Sequence, residues 1–275
     1  MNSENNLLPL PEKLLASLKD VQGYDESSFR SVHGSGEQVV SLRINPKKND
    51  QGLPGLINPA LKVPWSSTGY YLEERPFFTF DPLLHAGAYY VQEASSMFLE
   101  QVIKTSRDLN QPLKALDLCA APGGKSTLIQ AMITRDSLLV SNEVIRSRVP
   151  VLTENLVKWG SPNAVITNND PQDFSRLPAY FDLMVVDAPC SGSGLFRKDP
   201  SAIAEWTEEA VEQCSLRQKR ILSAALPAQA SNGLLVYSTC SYSLEEDEGI
   251  ADWLVRDFGL EPLRIPVEAQ WNIVE

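Results

Sequence analysis

Apolar and polar positions along the chain follow two rhythms. Up to about residue 75 they alternate over short stretches. Val39-Val40-Ser41-Leu42-Arg43-Ile44-Asn45-Pro46 reads as a strand closed by a proline, and Val63-Pro64-Trp65 with Gly69-Tyr70-Tyr71-Leu72 as a further strand pair. Residues 7–18 carry the spacing of a short amphipathic helix, and residues 47–52 read as a solvated turn. From Gly87 onward, strand-like apolar runs alternate with helical stretches. The pattern predicts strands at 113–118, 137–141, 164–167, 181–186 and 233–237, with helices at 125–134, 145–159, 207–228 and 245–257. This alternation predicts an α/β fold: a doubly wound, Rossmann-like parallel sheet over residues 76–275, preceded by a small α+β lobe over residues 1–75. A last strand is expected at 261–266, and the sheet is expected to be truncated at its C-terminal end.

Composition narrows the class. The chain has 275 residues, 43% of them hydrophobic, which suits one or two domains with a sizeable core. Met1-Asn2-Ser3-Glu4-Asn5-Asn6 lacks the basic and apolar regions of a signal peptide, and no apolar run is long enough to span a bilayer. A cytoplasmic protein with reduced cysteines and no membrane partner is expected. Cys119, Cys190, Cys214 and Cys240 are scattered without a C-x-x-C pair, so no metal is expected. The two histidines, His33 and His85, read as surface or packing residues. A net charge of -11 argues against a broad nucleic-acid surface but permits a local basic groove. Arg197 and Lys198, in a glycine-containing loop after Cys190, are candidates to meet RNA phosphates, with Arg43 extending that contact. Lys47 and Lys48 read as solvated, and Tyr89 and Tyr90 as packing at the lobe junction.

The chemistry concentrates at the strand ends. Cys190 follows the fourth core strand in Asp187-Ala188-Pro189-Cys190, and Cys240 follows the fifth in Tyr237-Ser238-Thr239-Cys240-Ser241. Carboxyl ends of neighbouring strands in a parallel sheet face one crevice, so two thiols would reach one ligand. That suits chemistry that makes and breaks a bond to sulfur. As mere packing, both would be small apolar residues, which leaves their shared position unexplained. The turn Cys119-Ala120-Ala121-Pro122-Gly123-Gly124-Lys125 joins the first core strand to its helix. Its small residues let a ligand approach the backbone and the helix amino end. Cys119 stands where a P-loop needs its first glycine, which argues against a nucleotide triphosphatase. Glu143, about 20 residues past the turn glycines, can accept from ribose hydroxyls, as an acid does in dinucleotide folds. Asp170, past the third strand, either receives an adenine amino group or caps a loop. With Asp187, the series fits an adenosine ligand without a pyrophosphate.

These stretches resemble the signatures of Nop/Sun-type RNA cytosine-5 methyltransferases, in the family's order: 116–125, Asp187-Ala188-Pro189-Cys190-Ser191-Gly192-Ser193-Gly194, and Tyr237 to Ser241. Ser41-Leu42-Arg43-Ile44-Asn45-Pro46 and Phe196-Arg197-Lys198-Asp199-Pro200 also match, and Tyr90-Val91-Gln92-Glu93-Ala94-Ser95-Ser96 is closest to the bacterial ribosomal-RNA branch. The resemblance covers roughly residues 40–253 and implies S-adenosylmethionine as methyl donor. It carries cofactor contacts onto Cys119, Ala120, Ala121, Pro122, Gly123, Gly124, Lys125, Glu143, Arg148, Asp170 and Asp187, with Glu143 in place of the more frequent aspartate. It implies an RNA substrate, ribosomal RNA before transfer RNA. It assigns Cys240 as nucleophile and Cys190 to product release, where chemistry alone leaves the two thiols nearly even. Asp187 would meet cytosine nitrogen 3 or its amino group. Family members usually continue with a further strand, and many add an RNA-binding domain. Two rival readings remain: an amino-group or small-molecule methyltransferase, which needs no Thr-Cys thiol, and a catalytically silent RNA-binding subunit, against which the intact cysteine pair speaks.

Overall fold

A computed structural model describes residues 9–48 and 59–274. In chain order the elements are α1 (Glu12–Ser17), α2 (Glu26–Gly34), β1 (Val40–Ile44), β2 (Pro59–Lys62), β3 (Gly69–Leu72), α3 (Pro82–His85), β4 (Tyr89–Val91), α4 (Leu99–Ser106), β5 (Lys114–Asp117), α5 (Gly124–Met132), β6 (Leu138–Asn142), α6 (Val149–Trp159), β7 (Ala164–Thr167), β8 (Phe181–Asp187), α7 (Glu208–Ala225), β9 (Gln229–Ser238) and α8 (Glu248–Phe258). The chain divides into two compact units, one of Val39–Asp187 with Ala224–Tyr237, the other of Met1–Gln38, Ala188–Ser223 and Ser238–Glu275.

The first of these units holds two sheets. A four-stranded antiparallel sheet runs in the order β2-β3-β1-β4, with Leu42 opposite both Tyr70 and Val91. Its edge strand β4 lies beyond residue 75, so the lobe's sheet extends past the expected boundary. The second sheet runs β7-β6-β5-β8-β9, with β6 and β8 both parallel to β5 and β7 parallel to β6. Strand order reverses at β5, so the crevice of this doubly wound sheet opens beyond the β5 carboxyl end, where the glycine turn begins. Leu183 and Val185 of the apolar β8 run pack with Ala115, Leu139, Leu99, Ile103, Leu128 and Ile129. Each such large aliphatic contributes about 1.5–3 kcal/mol on burial.

The other unit builds its own core from Leu14 and Leu15 of α1 and its capping Leu18 against Phe196, Trp206 and Val211. Asp25 caps α2 by accepting from the Ser28 backbone N–H at 2.8 Å. No helix among the described residues is long and apolar enough to cross a membrane.

Several expected elements shift for local reasons. The helix expected at 145–159 starts as a 3-10 turn at Arg146–Arg148 and becomes α-helical at Val149, with Pro150 in its first turn, where a missing N–H costs little. The helix expected to reach residue 228 stops at Ala225 because Pro227 cannot continue it. Residues 63–65 form a tight turn, closed by Ser66 N–H to Val63 O at 3.1 Å, rather than a strand; β3 pairs instead with β2. The strand expected at 261–266 is absent: Pro262 and Pro266 remove ladder donors there. Of the helix expected at 7–18, the described part is helical only over Glu12–Ser17.

Three cations expected at the surface serve the framework. Arg43 is buried, at 1% exposure, and is therefore not an RNA contact. Lys47 Nζ bonds Gln130 O and Ser161 Oγ, at 3.1 and 3.0 Å. Lys48 Nζ bonds Ala86 O and Lys158 O. Both lysines thus sit on carbonyls at helix C-terminal ends, where a cation complements the dipole. The rest of the expected turn, 49–52, lies outside the described residues. Tyr89 packs in the lobe core, its hydroxyl donating to Asp81 Oδ2 at 2.7 Å. His33 stacks on Phe29, and His85 Nε2 lies 2.8 Å from Thr79 O.

Candidate functional site

The turn after β5 is fixed from behind. Ala120 and Ala121 pack against Leu152 and Leu156 of α6, and Ala120 N–H donates to Asn142 O at 2.8 Å. Gly123 begins α5 at φ +111°, a conformation an L side chain rarely adopts. Glu143 is buried at the carboxyl end of β6. Its Oε1 accepts from Ile145 N–H at 2.8 Å, and its Oε2 accepts from Ala121 N–H at 3.3 Å and faces Arg148 Nη1 at 3.4 Å. Arg148 Nη2 donates to Ala121 O at 2.5 Å. Glu143, Arg148 and the turn are therefore one hydrogen-bonded group. Lys125 Nζ pairs with Asp187 Oδ2 at 2.7 Å, joining the start of α5 to the end of β8. Asn168 Nδ2 donates to Glu143 O at 2.6 Å, which ties the loop holding Asp170 to the same group. Asp170 is exposed and caps the 3-10 turn Pro171–Arg176, accepting from Gln172 N–H at 3.0 Å. Of its two readings, the cap is present.

One residue of this group went unassigned in the sequence. Asp117, the last residue of β5, is fully buried; Ser126 Oγ donates to its Oδ2 at 2.6 Å, while its Oδ1 has no partner. Burial pushes its carboxyl up to about 7, opposed by Ser126 and Lys125 and reinforced by Asp187 and Glu143. Its place in Leu116-Asp117-Leu118, inside an apolar strand, was the available signal. A carboxyl raised in the folded state stabilises fully below the unfolded value of 3.8 and loses that stability as pH rises through about 7. Asp117→Asn should therefore unfold at a higher temperature than the parent at pH 8, with the gap closing toward pH 4; a gap independent of pH would refute this. Cys119 is also pushed up, to about 12, chiefly by burial. It is a packed turn residue.

The two thiols form a second cluster. Cys190 Sγ and Cys240 Sγ lie 3.2 Å apart, Cys240 exposed and Cys190 partly buried. Their loops are stitched together by Ala188 N–H to Ser238 O at 2.9 Å, Gly194 N–H to Cys240 O at 2.6 Å and Tyr242 N–H to Ser193 Oγ at 2.8 Å. A Cβ on Gly194 would stand 2.3 Å from Cys240 O, so the close approach requires glycine. The hydrogen bond with Cys240, then burial, push the Cys190 thiol far above the usual thiol range. Thr239 Oγ1 donates to Asp247 Oδ1 at 2.7 Å, and burial raises the Asp247 carboxyl to about 6. Arg197 Nε donates to Glu37 O at 3.1 Å, and Lys198 is exposed. Cys214 is buried in α7. Among the described residues no cluster of His, Cys, Asp or Glu could hold a metal ion.

Residues 107–268, more than half of the chain, match the family described as 16S rRNA methyltransferase RsmB/F. The chain belongs to this family. Residues 10–94 also match the N-terminal domain of 16S rRNA methyltransferase RsmF. Among RsmB/F relatives, the ribosomal RNA small subunit methyltransferase F of Pectobacterium atrosepticum is 37% identical over 201 residues, covering 71% of this chain and 41% of its own. The protein of that name from Pectobacterium carotovorum is 36% identical over 261 residues, covering 90% and 53%. The chain thus spans about half the length, or less, of these relatives. A methyltransferase homolog from Pyrococcus horikoshii superposes with a TM-score of 0.66 at 26% identity, covering 90% of this chain and 83% of its own. NSun6 from the same organism, solved with SFG, superposes at 0.73 with 18% identity, covering 90% and 87%, and shares the fold.

Proposed function

We infer that the chain transfers a methyl group from S-adenosylmethionine to carbon 5 of a cytosine in RNA, with 16S ribosomal RNA as the substrate and the cytoplasm as the place of action. The observation that carries this reading is the pair of thiols 3.2 Å apart on a chain of the RsmB/F family. An amino-group methyltransferase has no use for such a pair.

The residues of the β5 turn fit the cofactor. The buried orphan Oδ1 of Asp117, with Glu143 and Asp187, sets three carboxyls against the two cations Lys125 and Arg148, an excess that suits a positively charged adenosyl ligand. Glu143 would hold the ribose hydroxyls and the 119–125 turn the methionyl part, and Asp170, whose Oδ1 caps Gln172, would turn its other oxygen to the adenine edge. When bound, S-adenosylmethionine supplies an electrophilic methyl group.

Everything else falls to the protein. Carbon 5 of cytosine is a poor nucleophile until a sulfur adds to carbon 6 and gives it enamine character. Cys240 is the exposed sulfur, and its hydrogen bond with Cys190, together with burial, pushes the Cys190 thiol up, so that Cys190 would be the one to keep its proton and donate. A donor at that distance stabilises negative charge on Cys240, which supports Cys240 as attacker and Cys190 as the proton-bearing partner in release. Asp187 Oδ2 already accepts from the Lys125 ammonium. It would accept from the cytosine amino group rather than donate to nitrogen 3. Arg197 and Lys198 would meet phosphates, and the target base would enter unpaired.

Incubation with methyl-labelled S-adenosylmethionine and 16S ribosomal RNA fragments, with transfer RNA in parallel, tests the reading. Labelled 5-methylcytosine in the ribosomal fragments is expected; label in transfer RNA alone, or on another base, would refute it. Glu143→Ala should weaken S-adenosylmethionine binding roughly ten- to hundredfold by calorimetry, since hydrogen bonds to a charged group are lost. Unchanged affinity would remove Glu143 from the site.

A further inference from the structure

Glu246 is buried to 0% exposure in the turn before α8, and the chemistry above does not use it. Its Oε1 accepts from Ser191 N–H at 2.9 Å and from Gln218 Nε2 at 3.0 Å. Its Oε2 accepts from Ser191 Oγ at 2.5 Å and Ser241 Oγ at 2.7 Å. Ser191 directly follows Cys190, and Ser241 directly follows Cys240. Gln218, itself buried on α7, also donates to Pro189 O at 3.1 Å. One carboxylate therefore joins the residues next to both thiols and fastens them to a helix. Ser191 Oγ and Ser241 Oγ also lie 3.2 Å from each other, and the further links between the loops stand at Ala188, Ser193 and Gly194.

We propose that Glu246 is a positioning residue that sets the separation of Cys190 and Cys240, holding the two sulfurs in register for addition and release. The proposal rests on the thiol chemistry inferred above. A buried carboxylate is tolerable here because four neutral donors satisfy it. Its service is geometric. A glutamine keeps one oxygen for Ser191 N–H and Gln218, and its amino group can donate to the two serine hydroxyls, which rotate to accept. Alanine leaves Ser191 N–H and Gln218 Nε2 without this acceptor and leaves the two serine hydroxyls only each other, which loosens the segments next to both thiols.

Disulfide formation reads the separation without any methyl transfer. The sulfurs need move only from 3.2 Å to the covalent distance of about 2 Å. In a glutathione redox buffer, the two thiols give two electrons and two protons to glutathione disulfide, which leaves as two thiols. The equilibrium constant for the Cys190–Cys240 bond, measured on the 275-residue chain by peptide mass, reports how well the pair is held.

Glu246→Ala should lower that constant about tenfold or more, and Glu246→Gln should stay within about threefold of the parent. An unchanged constant in Glu246→Ala overturns the proposal. So does a Glu246→Gln value as low as alanine's, which would make charge and not geometry the operative property. If Glu246→Ala does not fold, the Ser191→Ala, Ser241→Ala double variant removes both hydroxyl links while keeping Ser191 N–H and Gln218 on the carboxylate. It should show the same fall, and a parental constant would refute the clamp. A fall in the constant with no labelled 5-methylcytosine from the parent would sink the methyl-transfer reading and leave the clamp standing. Labelled 5-methylcytosine from the parent with an unchanged Glu246→Ala constant would do the reverse.

Discussion

Mixed with RNA and S-adenosylmethionine, the Cys190→Ala variant should accumulate a protein–RNA adduct that survives denaturation, and Cys240→Ala should form none. The expectation follows from the order of bonds. The adduct forms when a sulfur adds to carbon 6 and disappears when that bond breaks after the carbon 5 proton departs. Removing the attacking sulfur prevents the first event; removing the partner that assists release stalls the last. Cys240 is the exposed member of the pair, and the Cys190 thiol is pushed strongly toward its protonated form by its hydrogen bond with Cys240 and by burial. Methyl transfer should fall at least about a thousandfold in Cys240→Ala, as when a nucleophile is lost from a group of residues that act together. Denaturing electrophoresis with labelled RNA reads both variants at once. An adduct from Cys240→Ala and none from Cys190→Ala would exchange the roles. No adduct from either would point to methyl transfer without a sulfur bond. Thermal unfolding of both variants separates lost chemistry from lost structure.

Local pattern carried the parallel sheet and both thiol positions. β7 lies at Ala164–Thr167 as expected, and β5 and β8 lie within one residue of expectation; β5 and β8 are largely buried, and a strand buried on both faces must be a short apolar run wherever it sits. The glycine turn was legible because backbone approach restricts which residues it can hold. Asp117, Gln218 and Glu246 were not legible as a group, since their roles depend on partners far along the chain: Glu246 joins serines that stand 55 and 5 residues away. Arg43, expected to extend an RNA contact, is buried, while Lys47 and Lys48 are exposed as expected but also bond the framework, through partners that local sequence does not reveal. Their acceptors are carbonyls, the Gln92 amide and the hydroxyls of Thr127 and Ser161, as many as 114 residues off. Helix α2 has only Phe29 and Val32 as apolar positions, too short a stripe to read as a helix, and buries none of its residues fully.

Arg43→Ala should lower unfolding free energy by about 3–4 kcal/mol, read from the denaturant midpoint at unchanged slope. The guanidinium lies between the lobe's sheet and the start of α5. Its Nε donates to Gln92 Oε1 at 2.9 Å, its Nη2 donates to Thr127 Oγ1 at 2.7 Å and Gly124 O at 3.2 Å, and its carbon sits 4.5 Å over the Trp159 ring. Burial lowers it to about 9, which still leaves it charged at neutral pH. Alanine removes the volume, the ring contact and the donors together, leaving Gln92 Oε1 without this partner in the interior. Lysine cannot replace the fork, since it brings a single point charge to two acceptor directions. Methionine separates the two things Arg43 does. It refills the volume without a charge to desolvate, so Arg43→Met should recover most of the lost stability. It cannot hold the Gly124 carbonyl or Thr127, so the first turn of α5 loses its anchor, and S-adenosylmethionine affinity should stay reduced in both variants. Calorimetry beside the denaturation curve decides the matter. If Arg43→Met regained stability and full affinity together, Arg43 would be a packing residue only; if neither returned, its donors would be needed for the fold itself.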